Sequence, residues 1–208
     1  MGYFTNARPE IQCMVPVHTQ KLLDVGCGEG CFGAGIKLKL GCNVWGIEPN
    51  REASAKAQQH LDKVFPYFFE EALPQIKGEQ FDCICFNDVL EHMPDPWQCL
   101  EDSKTLLHKD AVVIASLPNV LYYHTFFKIL LSKDWRYQPS GIMDKTHLRW
   151  FTKKSLQRMF EECGYEVLSI SGLAPAKTIK MRLLSLLSLG YFSEMKYPQL
   201  VVIAKLRV

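Results

Sequence analysis

The chain has 208 residues and a mass of 23.9 kDa. That is the size of one domain, and such a length buries roughly 70% of the surface exposed by its unfolded form without disulfide or metal staples. Hydrophobic residues at 48% and charged residues at 22% exclude a disordered, collagenous or coiled-coil chain, and a formal charge of +2 leaves no electrostatic footprint for nucleic acid.

Met1 to Asn6, followed by Arg8, lacks the basic-then-apolar layout of a signal peptide, so the cytoplasm is the expected compartment. Residues 1–20, with Tyr3, Arg8 and Glu10, read as an amino-terminal lid or a frayed end. From Lys21 onward short apolar runs alternate with helical ones, which predicts an α/β, doubly wound, mostly parallel sheet with helices on both faces. Strand Lys21 to Val25 leads into a glycine loop, Gly26 to Gly30, and a helix ended by Gly41. Strand Asn43 to Glu48 precedes Pro49 and a helix from Arg51 to Leu61 that Asn50 can cap. A short strand, Val64 to Phe69, and the most strand-like run, Phe81 to Phe86, come next. The latter opens into Asn87-Asp88-Val89-Leu90-Glu91-His92 and the pair Pro94 and Pro96. A helix from Trp97 to Leu107 and a strand from Ala111 to Leu117 follow.

The alternation breaks between Pro118 and Thr152, an aromatic insert of the length that functional loops or caps have. A helix from Lys153 to Cys163, the strand Tyr165 to Ser171 and a last strand, Leu200 to Leu206, complete the domain; the last two can pair antiparallel. Between them, Lys177 to Phe192 reads as an amphipathic helix packed on its own sheet, with contact to a membrane surface as the alternative. Eight cysteines lie mostly in apolar runs with no CxxC pair, which predicts buried, reduced thiols.

In Asp24-Val25-Gly26-Cys27-Gly28-Glu29-Gly30, glycines at alternate positions after a buried strand let backbone approach a ligand closely. Glu48 ends the neighbouring strand, where a carboxylate can accept both hydroxyls of a ribose. Gly28, Gly30 and Gly33 also fit the dinucleotide spacing, so an NAD(P)-dependent oxidoreductase is one alternative. Asp24 and Glu29, however, put negative charge where a pyrophosphate would lie. A ligand with a cationic end suits the loop better, and S-adenosylmethionine carries an ammonium and a sulfonium.

Leu23-Asp24-Val25-Gly26-Cys27-Gly28-Glu29-Gly30, Gly46-Ile47-Glu48-Pro49, and Phe81-Asp82 through Asp88-Val89-Leu90-Glu91-His92-Met93-Pro94-Asp95-Pro96 resemble class I S-adenosylmethionine-dependent methyltransferases. The ubiquinone-biosynthesis O-methyltransferase-like group is the nearest in flavour, and the likeness runs from about Arg8 to the carboxyl terminus. It implies a seven-stranded sheet in the order 3-2-1-4-5-7-6 with strand seven antiparallel. It also implies that Asp24, Gly26, Cys27, Gly28 and Gly30 surround the methionine portion and that Glu48, followed by Pro49, holds the ribose. Asn87 and Asp88 then stand at the methionine end, and Glu70, with Glu71 as an equal candidate, reaches the adenine.

Methyl transfer from a sulfonium is an in-line displacement, so positioning and desolvation supply most of the acceleration and a base is optional. His92, and His147 with Asp144, are the candidates for that base, against a role in organising their loops; His124 is a further one. Glu91 and His92 alone do not define a metal site, and no metal is expected. The aromatic insert is expected to cover the cofactor and form the pocket of a small-molecule methyl acceptor with oxygen as the accepting atom. A binding protein that holds the cofactor without turnover is the remaining alternative.

Overall fold

The computed structural model describes residues 4–176, 186 and 188–207. Strands β1 (Lys21–Val25), β2 (Asn43–Ile47), β3 (Lys63–Phe65), β4 (Phe81–Asn87), β5 (Leu107–Pro118), β6 (Tyr165–Leu173) and β7 (Gln199–Leu206) form one sheet, ordered β3-β2-β1-β4-β5-β7-β6. The first five pair in parallel, and β7 runs antiparallel to both β5 and β6. This is the order and sense implied by the resemblance.

Central strands are buried on both faces, which is why β4 from Cys83 to Phe86 reads as an apolar run rather than an alternating one. Its side chains still divide by parity. Ile84 and Phe86 join Leu23, Phe160 and Tyr165 in one core cluster, whereas Cys83 and Cys85 join Leu22, Ile36 and Ile114 in the other. Helices α1 (Pro9–Gln12), α2 (Cys31–Leu40), α3 (Arg51–Ala57), α4 (Phe69–Ala72), α5 (Pro96–Ser103), α6 (Tyr123–Ser132) and α7 (Lys153–Glu162) surround the sheet. Three begin on a side-chain cap: Asn50 accepts from the Ala53 N–H, Asp95 from that of Gln98, and Thr152 from that of Ser155.

Several expected boundaries move. The strand expected over Val64 to Phe69 ends at Phe65, because Phe69 opens α4, a helix too short to leave a periodic signal. The helix expected to reach Leu61 stops at Ala57, after which turns lead to Asp62, whose carboxylate accepts from the Val44 N–H. Helix α5 ends at Ser103 rather than Leu107, continuing as a single 3-10 turn, and β5 begins at Leu107 rather than Ala111. The insert does carry its own helix, α6. Of the eight cysteines six are buried, but Cys13 is exposed and Cys31 half-buried, and each is a free thiol. Tyr3 and most of the amphipathic stretch from Lys177, including Lys180 and Arg182, lie outside the described residues. Among the described residues no helix is long and apolar enough to cross a membrane.

Candidate functional site

A cavity of about 1160 Å³ opens at the carboxyl ends of β1, β2 and β4. Its position is the one a doubly wound sheet dictates, since chain crossovers diverge on either side of β1 and leave a crevice there. Asp24, Gly26, Cys27, Gly28, Glu48, Pro49, Glu70, Asn87, Asp88, His92, Asp144 and His147 all contribute to its wall. Sequence separation of more than a hundred residues is thus closed by the sheet.

The glycine loop forms one side. Gly26, Gly28 and Gly30 all have left-handed φ, at 72°, 55° and 81°. At Gly28 a Cβ would also lie 2.7 Å from the Phe4 carbonyl oxygen, so the loop admits the backbone of the amino-terminal segment only because that side chain is absent. The Gly26 and Cys27 N–H groups both donate to the Ile47 carbonyl, tying the loop to β2. Gly30 does not line the cavity. It sits at the start of α2, where an added Cβ would press on the Ala57 backbone, so its role is packing rather than the ligand contact expected. The Cys27 side chain likewise belongs to the core, and only its backbone serves the loop. Gly33 abuts Leu61 and Val44, the close helix-to-sheet packing that the third glycine of a dinucleotide loop also makes, so this position does not separate the two readings.

Glu48 is 5% exposed, and its two oxygens accept from the Gly28 and Asn50 N–H groups, each at 2.9 Å. Burial raises its pKa in spite of those bonds. A carboxylate has about four lone-pair sites, so two remain for hydroxyls of a ligand. Asp24 is 1% exposed, and among the described residues its Oδ2 has no hydrogen-bond partner. Burial, reinforced by the charge of Glu48, pushes its pKa up to about 8. Both polar atoms of the Asn87 amide are also buried and, among the described residues, lack a partner at full hydrogen-bond geometry, although the amide stands near enough to Asp24 to favour its ionised form. A polar, acid-rich floor with unspent hydrogen-bonding capacity fits a cationic, hydroxyl-bearing ligand and repels a pyrophosphate.

The amino-terminal segment closes one end, and Arg8 is the residue whose part sequence reasoning understated. Its guanidinium is buried and donates to Asp88 Oδ2 and Ser116 Oγ, both at 2.9 Å, while its Nε lies 3.2 Å from Glu10. Gln199 donates to the other Asp88 oxygen. The Phe4 carbonyl accepts from the Glu29 N–H. On the α4 side of the cavity, Glu71 accepts from the Phe68 N–H as an α4 cap. Glu70 and Glu71 both line the cavity, and Glu70 makes no such cap. Phe68, a wall residue that is 62% exposed, was not foreseen.

At the far side the insert returns over β4. The Leu148 and Arg149 N–H groups donate to the Glu91 carbonyl, and this brings His147 against His92 with ring centroids 4.7 Å apart. His147 Nδ1 lies 3.1 Å from the Ile142 carbonyl, which can only accept, so Nδ1 carries the proton and Nε2 keeps a lone pair. Burial lowers the pKa of His147. Asp144 does not hold the imidazole. Its Oδ1 accepts from the Thr146 N–H and hydroxyl; burial opposes ionisation, but these bonds prevail and keep its pKa below the ordinary value. Asp144 thus organises the loop that carries His147. Glu91, 1% exposed, adds a carboxylate with both oxygens unpartnered among the described residues, and burial puts its pKa well up. One donor atom from each of Glu91, His92 and His147 lies within 4.8 Å of the others, so the fold supplies the third donor that the sequence reading lacked when it left metal out.

Residues 6–170 match the methyltransferase domain family. The chain belongs to that family. The methyltransferase is 33% identical over 109 residues to a ubiquinone biosynthesis O-methyltransferase of Actinobacillus pleuropneumoniae serotype 7 (strain AP76), covering 48% of this chain and 46% of the relative. It is 26% identical over 161 residues to the protein of that name from Aeromonas salmonicida (strain A449), covering 74% and 66%. The matches thus span between about half and two thirds of those relatives' lengths. Among solved structures, a SAM-dependent methyltransferase from Archaeoglobus fulgidus has a TM-score of 0.72 at 15% identity, over 96% of this chain and 91% of the other. A Burkholderia thailandensis 1,6-didemethyltoxoflavin-N1-methyltransferase, with S-adenosylhomocysteine bound, has a TM-score of 0.64 at 16% identity, over 98% and 80%. Membership settles the enzyme class against the oxidoreductase alternative, and S-adenosylmethionine is the cofactor.

Proposed function

We propose that the methyltransferase moves the methyl group of S-adenosylmethionine to a hydroxyl oxygen of a small-molecule acceptor. The observation that carries this reading is the polarity of the large cavity: an acid floor of Asp24 and Glu48 at one side, and a pair of imidazoles at the other. Glu48 takes the ribose hydroxyls, Asp24 with the Gly26 to Gly28 backbone and Asn87 takes the methionine end, and Glu70 faces the adenine. The methyl then points toward His147, whose Nε2 accepts the hydroxyl proton as the carbon–oxygen bond forms. Positioning and exclusion of water supply the rest. The ubiquinone O-methyltransferase relatives support oxygen as the accepting atom.

The expected result is a thermal shift with S-adenosylmethionine and S-adenosylhomocysteine and none with NADH. At a hundred times its dissociation constant a ligand adds about 2.7 kcal/mol, or roughly 5 to 10 °C for a chain of this size. Formation of S-adenosylhomocysteine with a phenol then separates an enzyme from a binding protein. Equal shifts with all three ligands would defeat the cofactor assignment.

The unpartnered Glu91 favours a second reading of the acceptor end, in which Glu91, His92 and His147 hold a divalent cation. A bound cation would acidify a coordinated hydroxyl. Its signature is a rise in melting temperature when Zn²⁺ or Mn²⁺ is added at one equivalent to chelator-treated protein, abolished in His147→Ala. No rise in the parent protein leaves the imidazole as the base.

A further inference from the structure

A second cavity of about 410 Å³ lies in the insert and shares Ser140 and Ile142 with the wall of the large one. It is built on α6, a helix with no buried residue. Phe126, Phe127, Leu130 and Leu131 stand outward at 36%, 39%, 56% and 79% exposure. His124, Lys128 and Ser132, spaced by four and also exposed, border the cavity, with the half-buried Thr125 and Ile129 beside them. Arg136 from the following loop joins them.

The charge of that lining is unbalanced. Lys128, Arg136 and His124 supply basic side chains, and Asp134 is the single carboxylate of the wall. Among the described residues no ion pair involves Lys128, Arg136 or Asp134. Cations gathered around a concave space, with hydroxyls beside them and no carboxylate bonded to them, are the donors that carboxylates and phosphates require.

We propose that this side cavity binds an anionic group, a carboxylate or phosphate, carried by the methyl acceptor. The inference rests on the proposed function, because the shared wall makes sense only if the accepting atom sits in the large cavity. The acceptor is then a two-ended molecule: its hydroxyl reaches His147, and its anion passes Ser140 and Ile142 to meet Lys128 and Arg136.

The test is calorimetric titration of inorganic pyrophosphate into the protein with and without saturating S-adenosylhomocysteine. Saturable binding is expected in both, and Lys128→Gln with Arg136→Gln together should weaken it by about tenfold or more without changing the affinity for S-adenosylhomocysteine. Both side chains are exposed, so the fold tolerates the change. Pyrophosphate affinity that is unaffected by the two substitutions, or binding lost when S-adenosylhomocysteine is present, overturns the proposal. Capture by phosphatidylglycerol vesicles without binding of free pyrophosphate moves the anion to a lipid surface and overturns it as well. S-adenosylhomocysteine that fails to bind defeats the proposed function itself, a result distinct from its binding while pyrophosphate does not.

Discussion

Glu48→Ala is expected to lower the affinity for S-adenosylmethionine by about a hundredfold, the loss of two charge-assisted hydrogen bonds at roughly 1.5 kcal/mol or more each. The carboxylate is held in place from both sides by the Gly28 and Asn50 N–H groups, so its remaining lone pairs are aimed before the ligand arrives. Removing it also releases the glycine loop from β2 at Gly28, which adds to the loss. Glu48→Gln is no rescue, because one oxygen becomes an NH₂ facing a backbone N–H. The free protein should still unfold in one cooperative transition, since the residue lies at the cavity wall and burial already opposes its ionisation. Titration calorimetry of both variants decides the matter, and an affinity within threefold or so of the parent, against a resolution of a few tenths of a kcal/mol, would remove Glu48 from the ribose site.

Cofactor binding is also expected to release about one proton near pH 6.5, and Asp24 is its source. In the free protein burial and the charge of Glu48 hold that carboxyl protonated up to about pH 8. In the unfolded chain it ionises near ~3.9. Between these limits the folded form binds more protons than the unfolded one, so the contribution of Asp24 to stability falls as pH rises from about 4 to about 8 and is level on either side. A cationic ligand reverses the preference, because the ammonium or sulfonium favours the carboxylate. At pH 6.5 the ligand's own amine, of ordinary pKa about 7.7–8.0, is already charged and takes no part. The measurement is the binding enthalpy in buffers of different ionisation heat. Its buffer dependence should vanish in Asp24→Asn, and the same variant should melt higher than the parent, by more at pH 8 than at pH 5. An enthalpy independent of buffer in the parent protein would place the cation elsewhere.

Both expectations concern residues whose chemistry was legible from the chain. Gly26 and Gly28 announce a backbone that must pass close to something, and Asp24 and Glu48 lie at the carboxyl ends of neighbouring buried strands, the one a residue before the end of β1 and the other a residue past β2. Periodicity likewise carried the sheet, because a strand buried on both faces must be apolar throughout and a helix between strands must not. Short elements escaped that logic. α4 has one turn, too little to show a period, and so Phe68 in the cavity wall and the cap that Glu71 makes stayed hidden.

Long-range pairing escaped it too, since nothing local distinguishes His147 from any other loop histidine. Its meeting with Glu91 and His92 depends on two backbone hydrogen bonds from the returning insert, and the Arg8 bridge to Asp88 and Ser116 depends on where the amino-terminal segment crosses the sheet. The side cavity is of the same kind: only the packing of the insert brings Lys128 of α6 and Arg136 of the following loop to one wall. What the chain settles by itself is thus whatever follows from burial and from backbone conformation, which are properties of single residues and their near neighbours. Which distant groups share a cavity is set by strand order and loop closure, and those become definite only when the whole sheet has formed.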